Sequence, residues 1–138
     1  MTFFYNGLPL FNFTPHTIDV YEESLIDKPL SISSAGIIRL VKDQNGDTKK
    51  AAIFQNGAVV REIPVTKATA WVGLEITACN SDLLEGSAIL VSMPVAEYIV
   101  DKGLYPNCTI LGPNTGPESV VRDAQGNILG VREFIEYR

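Results

Sequence analysis

The chain has 138 residues, 46% of them hydrophobic and 20% charged. That is long enough to bury a core without disulfides or a structural metal. Its net charge of −5 argues against a general nucleic-acid binder, whose phosphate contacts need a basic surface, but a few local arginines can still hold a small anion. No apolar run approaches the length of a membrane span, and the opening MTFFYNGLPLFNF lacks a basic n-region and a cleavage site. The expectation is therefore one cytoplasmic domain spanning residues 1–138.

In chain order, the alternation of Ile18 and Val20 against Asp19 and Tyr21 marks a half-buried strand in TIDVYEE. GIIRLVK (36–42), AAIFQ (51–55) and AVVREIPV (58–65) are rich in β-branched residues and separated by Asn45-Gly46 and Asn56-Gly57. Asn-Gly favours positive φ and suits tight turns, so residues 36–65 predict a three-stranded antiparallel meander. WVGLEITAC (71–79) alternates again, and the continuous apolar run AILVSM (88–93) predicts a central strand covered on both faces.

A single helix is expected at about 94–102, opened by Pro94 and closed by Gly103, with Val95/Ile99 and Ala96/Val100 as i,i+4 pairs. TILG (109–112) is a short strand, and PNTGPE a loop. The segment SVVRDAQGNILGVREFIEYR (119–138) predicts a terminal hairpin turning through DAQGN, with Gly130 at a bulge. The fold class is α+β, a mainly antiparallel sheet with one short helix.

Several residues are candidates for chemistry. His16, the only histidine, stands between Pro15 and Thr17. A catalytic base, a ligand contact and a strand-entering turn with its imidazole hydrogen-bonded to backbone are the alternatives. No second histidine is present, and Cys79 and Cys108 lack zinc spacing; they are expected as buried thiols or one bridge. SISSAG (31–36) contains no G-x-S-x-G elbow. In LGPNTGPES (111–119), Gly112 and Gly116 free the backbone to turn N–H groups inward, and Asn114, Thr115 and Ser119 add donors for a small anion. Arg122 and Arg132 share the terminal hairpin and could converge on a phosphate, while Trp71 offers a surface for a base.

Two stretches together, NFTPHTIDVY and GPNTGPESVVRDAQGNILGVREF, resemble a set of short phage and prophage proteins. Those proteins pair a leading Asn-x-Thr-Pro-His-[Thr/Pro] with a closing Val-Arg-Asp-x-x-Gly-x-Ile-x-Gly-Val-Arg. Asn12, Thr14, Pro15, His16, Arg122, Asp123, Gly126, Gly130 and Arg132 carry the resemblance, and Phe13 replaces the commoner leucine. It implies a viral accessory origin, a class that includes anti-defence sponges which oligomerise and bind cyclic nucleotides or cyclic ADP-ribose signals. The expectation is a non-enzymatic homo-oligomer without cofactor or metal that sequesters a small phosphorylated host signal. Its ligand would meet Arg122, Arg132, Thr115, Asn114, His16 and Trp71. The alternatives are a phage structural or protein-interaction protein, using an apolar patch of Phe3, Phe4, Tyr5, Leu8 and Leu10, and a small hydrolase using His16.

Overall fold

The computed structural model describes residues 2–22, 25–42, 49–65, 71–77 and 85–138. In chain order the elements are β1 (Phe3–Tyr5), β2 (Leu8–Asn12), β3 (Ile18–Glu22), β4 (Leu25–Ile32), β5 (Ile37–Lys42), β6 (Lys49–Gln55) and β7 (Ala58–Val65). There follow β8 (Trp71–Thr77), β9 (Ala88–Leu90), α1 (Met93–Lys102), β10 (Thr109–Pro113), β11 (Val120–Arg122), β12 (Ile128–Val131) and β13 (Phe134–Glu136). Among the described residues strand dominates, with one short helix, as an α+β reading requires. The chain divides into two compact units, Met1–Arg39 with Glu75–Arg138, and Leu40–Leu74.

The first unit contains a five-stranded sheet in the order β1-β2-β9-β10-β13. The apolar run at 88–91 is its centre: Ala88, Ile89, Leu90 and Val91 are all fully buried, and β9 pairs in parallel with β2 on one side and β10 on the other. Ala88 and Leu90 join a core cluster with Leu10, Ile18, Ile32, Leu111 and Val131, which the second sheet (β11-β12-β3-β4) completes. Ile89 points to the opposite face by alternation, and α1 packs along β10.

The helix begins one residue earlier than expected. Pro94 occupies its first turn, where a missing N–H costs nothing. It ends at Gly103, whose φ of 64° is left-handed; Leu104 N–H donates to Ile99 O (2.9 Å) and Gly103 N–H to Val100 O (3.2 Å). Val95, Ala96 and Ile99 are buried, but Val100 stays open, so the Ala96/Val100 stripe is not part of the seat.

Antiparallel pairs predominate, as expected, but the sheets are mixed: β2–β9, β9–β10 and β3–β12 are parallel. Two further expectations are corrected. The 36–65 meander does not form, because β5 pairs with β8 and β6 pairs with β7 in a separate ribbon; the Asn45-Gly46 turn lies outside the described residues. The long return strand at 128–138 is divided. β12 pairs antiparallel with β11, whereas β13 pairs with β10 in the other sheet. A register shift between Val121↔Gly130 and Arg122↔Ile128 places an extra residue beside Gly130, at the expected bulge.

In the second unit, Asn56 (φ 53°) and Gly57 (φ 79°) form the tight turn of the β6–β7 ribbon, a type I′ arrangement. No described residue of Leu40–Leu74 is buried.

Candidate functional site

The leading motif is built around a buried amide. Asn12, 1% exposed, donates from Nδ2 to His16 O (2.8 Å) and Ile32 O (3.0 Å). Its Oδ1 accepts from Thr14 N–H (2.9 Å) and lies 2.6 Å from Thr14 Oγ1. Both donor positions and both lone pairs are thus in use. Asn12-Phe13-Thr14 spells a glycosylation sequon, but an amide buried in this way accepts no glycan. The turn at 13–16 is locked by this knot and by Ser34 Oγ against Thr14 O (2.7 Å). His16 supplies a backbone carbonyl to it. Its imidazole is exposed and, among the described residues, no group pairs with it. The turn reading holds, but the imidazole is not bonded to backbone as expected.

The closing motif is a second turn held by a carboxylate. Asp123 Oδ1 accepts from the N–H groups of Gln125 and Asn127 (both 2.9 Å), and Oδ2 from the Asn127 amide (3.3 Å). The Asn127 backbone N–H is the main cause holding this carboxyl below the ordinary aspartate range. Gly126 takes the left-handed φ of 84° at the corner. Arg122 donates to Gly126 O (2.7 Å), so its guanidinium braces this turn.

The two motifs meet where β12 lies beside β3, Val131 opposite Val20. A Cβ added at Gly130 would fall 2.2 Å from Asp19 O and 2.9 Å from Tyr21 Cε2. Only glycine permits that approach.

The 111–119 loop departs from an anion cradle. Gly116 N–H is taken by Asn114 Oδ1 (2.9 Å), and Ser119, fully buried, accepts the Arg132 and Glu133 N–H groups on Oγ (both 3.1 Å). The Asn114 amide donates to Glu118 Oε1 (3.0 Å) and Glu133 Oε1 (2.9 Å). Glu118 is held below the usual glutamate range by its own backbone N–H first and the Asn114 amide second. Thr115 is exposed.

Beyond these carboxylates an open cleft of about 560 Å³ is lined by Val20, Tyr21, Glu22, Leu30, Glu118, Arg132 and Glu133. Arg132 is the one cation among its described lining residues. Its Nε is buried with no hydrogen-bond partner among the described residues, and none of their carboxylates forms an ion pair with it. Asn114 thus engages Glu118 and, from 19 residues further along the chain, Glu133, and the guanidinium of Arg132 is left to the cleft. Arg122 does not join it. Opposite Ile128, Arg122 stands at one end of the β11–β12 ladder, while Arg132 N–H bonds Ser119 O at the other, three strand steps or about 10 Å away.

Trp71 belongs to the Leu40–Leu74 unit, where the Lys42 Nζ sits 5.9 Å from its ring centroid. A second cleft, of about 460 Å³, is lined by Phe3, Phe11, Ser31 and Ser33 among others and has no charged lining residue. Of the proposed N-terminal patch only Phe4 stands open, at 65%; Leu10 is buried, and Phe3, Tyr5 and Leu8 pack on the core cluster. Cys108 is buried, and Cys79 lies outside the described residues. Among the described residues no group of three or more His, Cys, Asp or Glu side chains is placed to hold a metal ion. Nor is any helix among them long and apolar enough to cross a membrane.

Of the residues singled out in the sequence for ligand contact, Arg132 lines the first cleft and Asn114 binds two of its glutamates, whereas Tyr21, Glu22, Glu118 and Glu133 are not among them. Glu118 was within the loop read as a donor cradle, and only its neighbours' side-chain directions reveal it as an acceptor. Comparisons with family models, with curated proteins and with solved structures find no match to this chain.

Proposed function

We propose that the chain is a non-enzymatic binding protein that sequesters a small phosphorylated ligand, with Arg132 as the phosphate-binding group. The observation that carries this is Arg132, which lines the cleft with its Nε buried and without a hydrogen-bond partner among the described residues. Guanidinium matches phosphate geometry bidentately. Three carboxylates share the lining, so a multiply charged phosphate is repelled. A cyclic phosphodiester, with one negative charge per phosphate, fits better. Glu22, Glu118 and Glu133 are then acceptors for the N–H edge of a base, and Val20 and Leu30 give its apolar face contact. The guanine edge, with adjacent N1–H and N2–H donors, suits a carboxylate best. The host immune signal as ligand class, and the phage origin, rest on the resemblance of the two end motifs. Equilibrium dialysis tests the reading: retention in the order cyclic GMP, cyclic AMP, GMP is expected. No retention, or tightest retention of the GMP dianion, overturns it.

A second reading, a structural or protein-interaction protein, is favoured by the Leu40–Leu74 unit, which carries exposed apolar side chains and no buried one among its described residues. Recovery of one stoichiometric protein partner with the tagged chain from host cells supports it, and recovery of none counts against it.

A further inference from the structure

The Leu40–Leu74 unit presents Ile53, Phe54, Val59, Val60, Val65 and Val72 to solvent at 43–62% exposure. Among its described residues none is buried, and a two-stranded ribbon is at best marginally stable alone in water. Ribbon register shows that both faces need cover. Phe54 pairs with Val59 on one face, beside Ala52/Glu62 and Lys50/Pro64; Ile53/Arg61, Ala51/Ile63 and Lys49/Val65 occupy the other. An apolar surface of this kind marks an interaction site.

Charge identifies what covers it. Residues 40–74 carry five basic against three acidic side chains, a net +2, which in a chain of −5 leaves −7 for the other residues. Ribbon against ribbon would oppose two positive fields, whereas ribbon against the acidic unit of another copy joins opposite ones. We propose that the β6–β7 ribbon docks on the acidic unit of a second copy of this chain, through Phe54, Val59 and Val60 with Lys50 on the same face supplying complementary charge. The inference rests on the interaction reading and narrows its partner to the chain itself. It is independent of any ligand in the Arg132 cleft.

Sedimentation velocity on the full chain over a concentration series tests it. The wild type is expected to self-associate, and raising salt from about 0.05 to 0.5 M should weaken the association by about tenfold or more. Phe54→Asp should abolish it, and Lys50→Glu should weaken it and remove most of the salt dependence, with the thermal melt of both variants unchanged. A wild type that stays monomeric at about 100 μM, association that strengthens with salt, or association indifferent to both substitutions overturns the proposal. A monomer that still recovers one stoichiometric foreign protein refutes this inference and leaves the interaction reading standing.

Discussion

Replacing Gly130 by alanine should destabilise the chain severely for a single added methyl group. The new Cβ would lie 2.2 Å from Asp19 O and 3.1 Å from Asp19 C. A carbon–oxygen contact settles at about 3.3–3.6 Å, so β3 and β12 must part by about 1 Å. The obstacle is backbone, which cannot swing aside as a side-chain tip would. Overpacking costs about 1–3 kcal/mol, and the upper end applies here. Loss of the parallel pairing at Val131↔Val20 adds about 1 kcal/mol. A total of about 3–4 kcal/mol, with an unfolding entropy of about 0.3 kcal/mol/K for this length, lowers Tm by roughly 10 °C. Gly73→Ala is the matched control. Gly73 lies in β8 with nothing within 4 Å of an added Cβ, so the variant should keep or slightly raise Tm. Differential scanning calorimetry of both variants decides the matter. A Gly130→Ala protein melting within about 2 °C of the parent would show that β3 and β12 are not in contact there.

Asn12→Asp keeps the shape of the buried amide but turns an oxygen toward His16 O and Ile32 O. A loss of about 3 kcal/mol or more at neutral pH is expected in urea denaturation, recovering in part as acid protonates the carboxyl and restores one donor. The Asp123 carboxyl titrates below the ordinary range in the folded chain, so its stabilisation is present at neutral pH and is lost as pH falls through the folded value. The Tm gap between the wild type and Asp123→Asn should therefore shrink in acid; a gap constant down to acid unfolding would contradict that. Tyr5 OH donates to Glu136 Oε2 (3.1 Å), linking β1 to β13, the two edges of the five-stranded sheet. This bond is the first cause raising its pKa, so its stabilisation is complete below the ordinary tyrosine range and lost as pH rises through the folded value. Tyr5→Phe should flatten the alkaline limb of the Tm–pH curve, and an unchanged limb would sink the assignment.

Local signals were legible where one stretch determines its own state. The 88–91 run announces a strand covered on both faces, Asn56-Gly57 a tight turn, and Pro94 with Gly103 a short helix. Pairing partners were not legible, because they depend on segments far apart in sequence. Nothing in GIIRLVK indicates that its partner is the strand at 71–77 rather than the one at 49–55. Side-chain direction was equally hidden. Asn114 reads as a donor for an anion, but its amide is spent on two glutamates; Arg122 reads as a partner of Arg132, but it bonds its own turn. Much of the two-ended signature has a structural explanation in the Asn12 knot, the Asp123 turn and the Gly130 crossing. Arg132 is the signature residue whose guanidinium no contact among the described residues absorbs.

Isothermal titration calorimetry of cyclic GMP into the wild type, Arg132→Ala, Arg132→Lys and Arg122→Ala tests the binding role of that guanidinium most directly. The wild type should bind saturably at one site per chain. Arg132→Ala should lose about 1–3 kcal/mol, Arg132→Lys should fall between because it keeps charge without the fork, and Arg122→Ala should bind as the wild type does. Absence of binding by the wild type, or equal binding by Arg132→Ala, would contradict the assignment of Arg132 as the phosphate-binding residue.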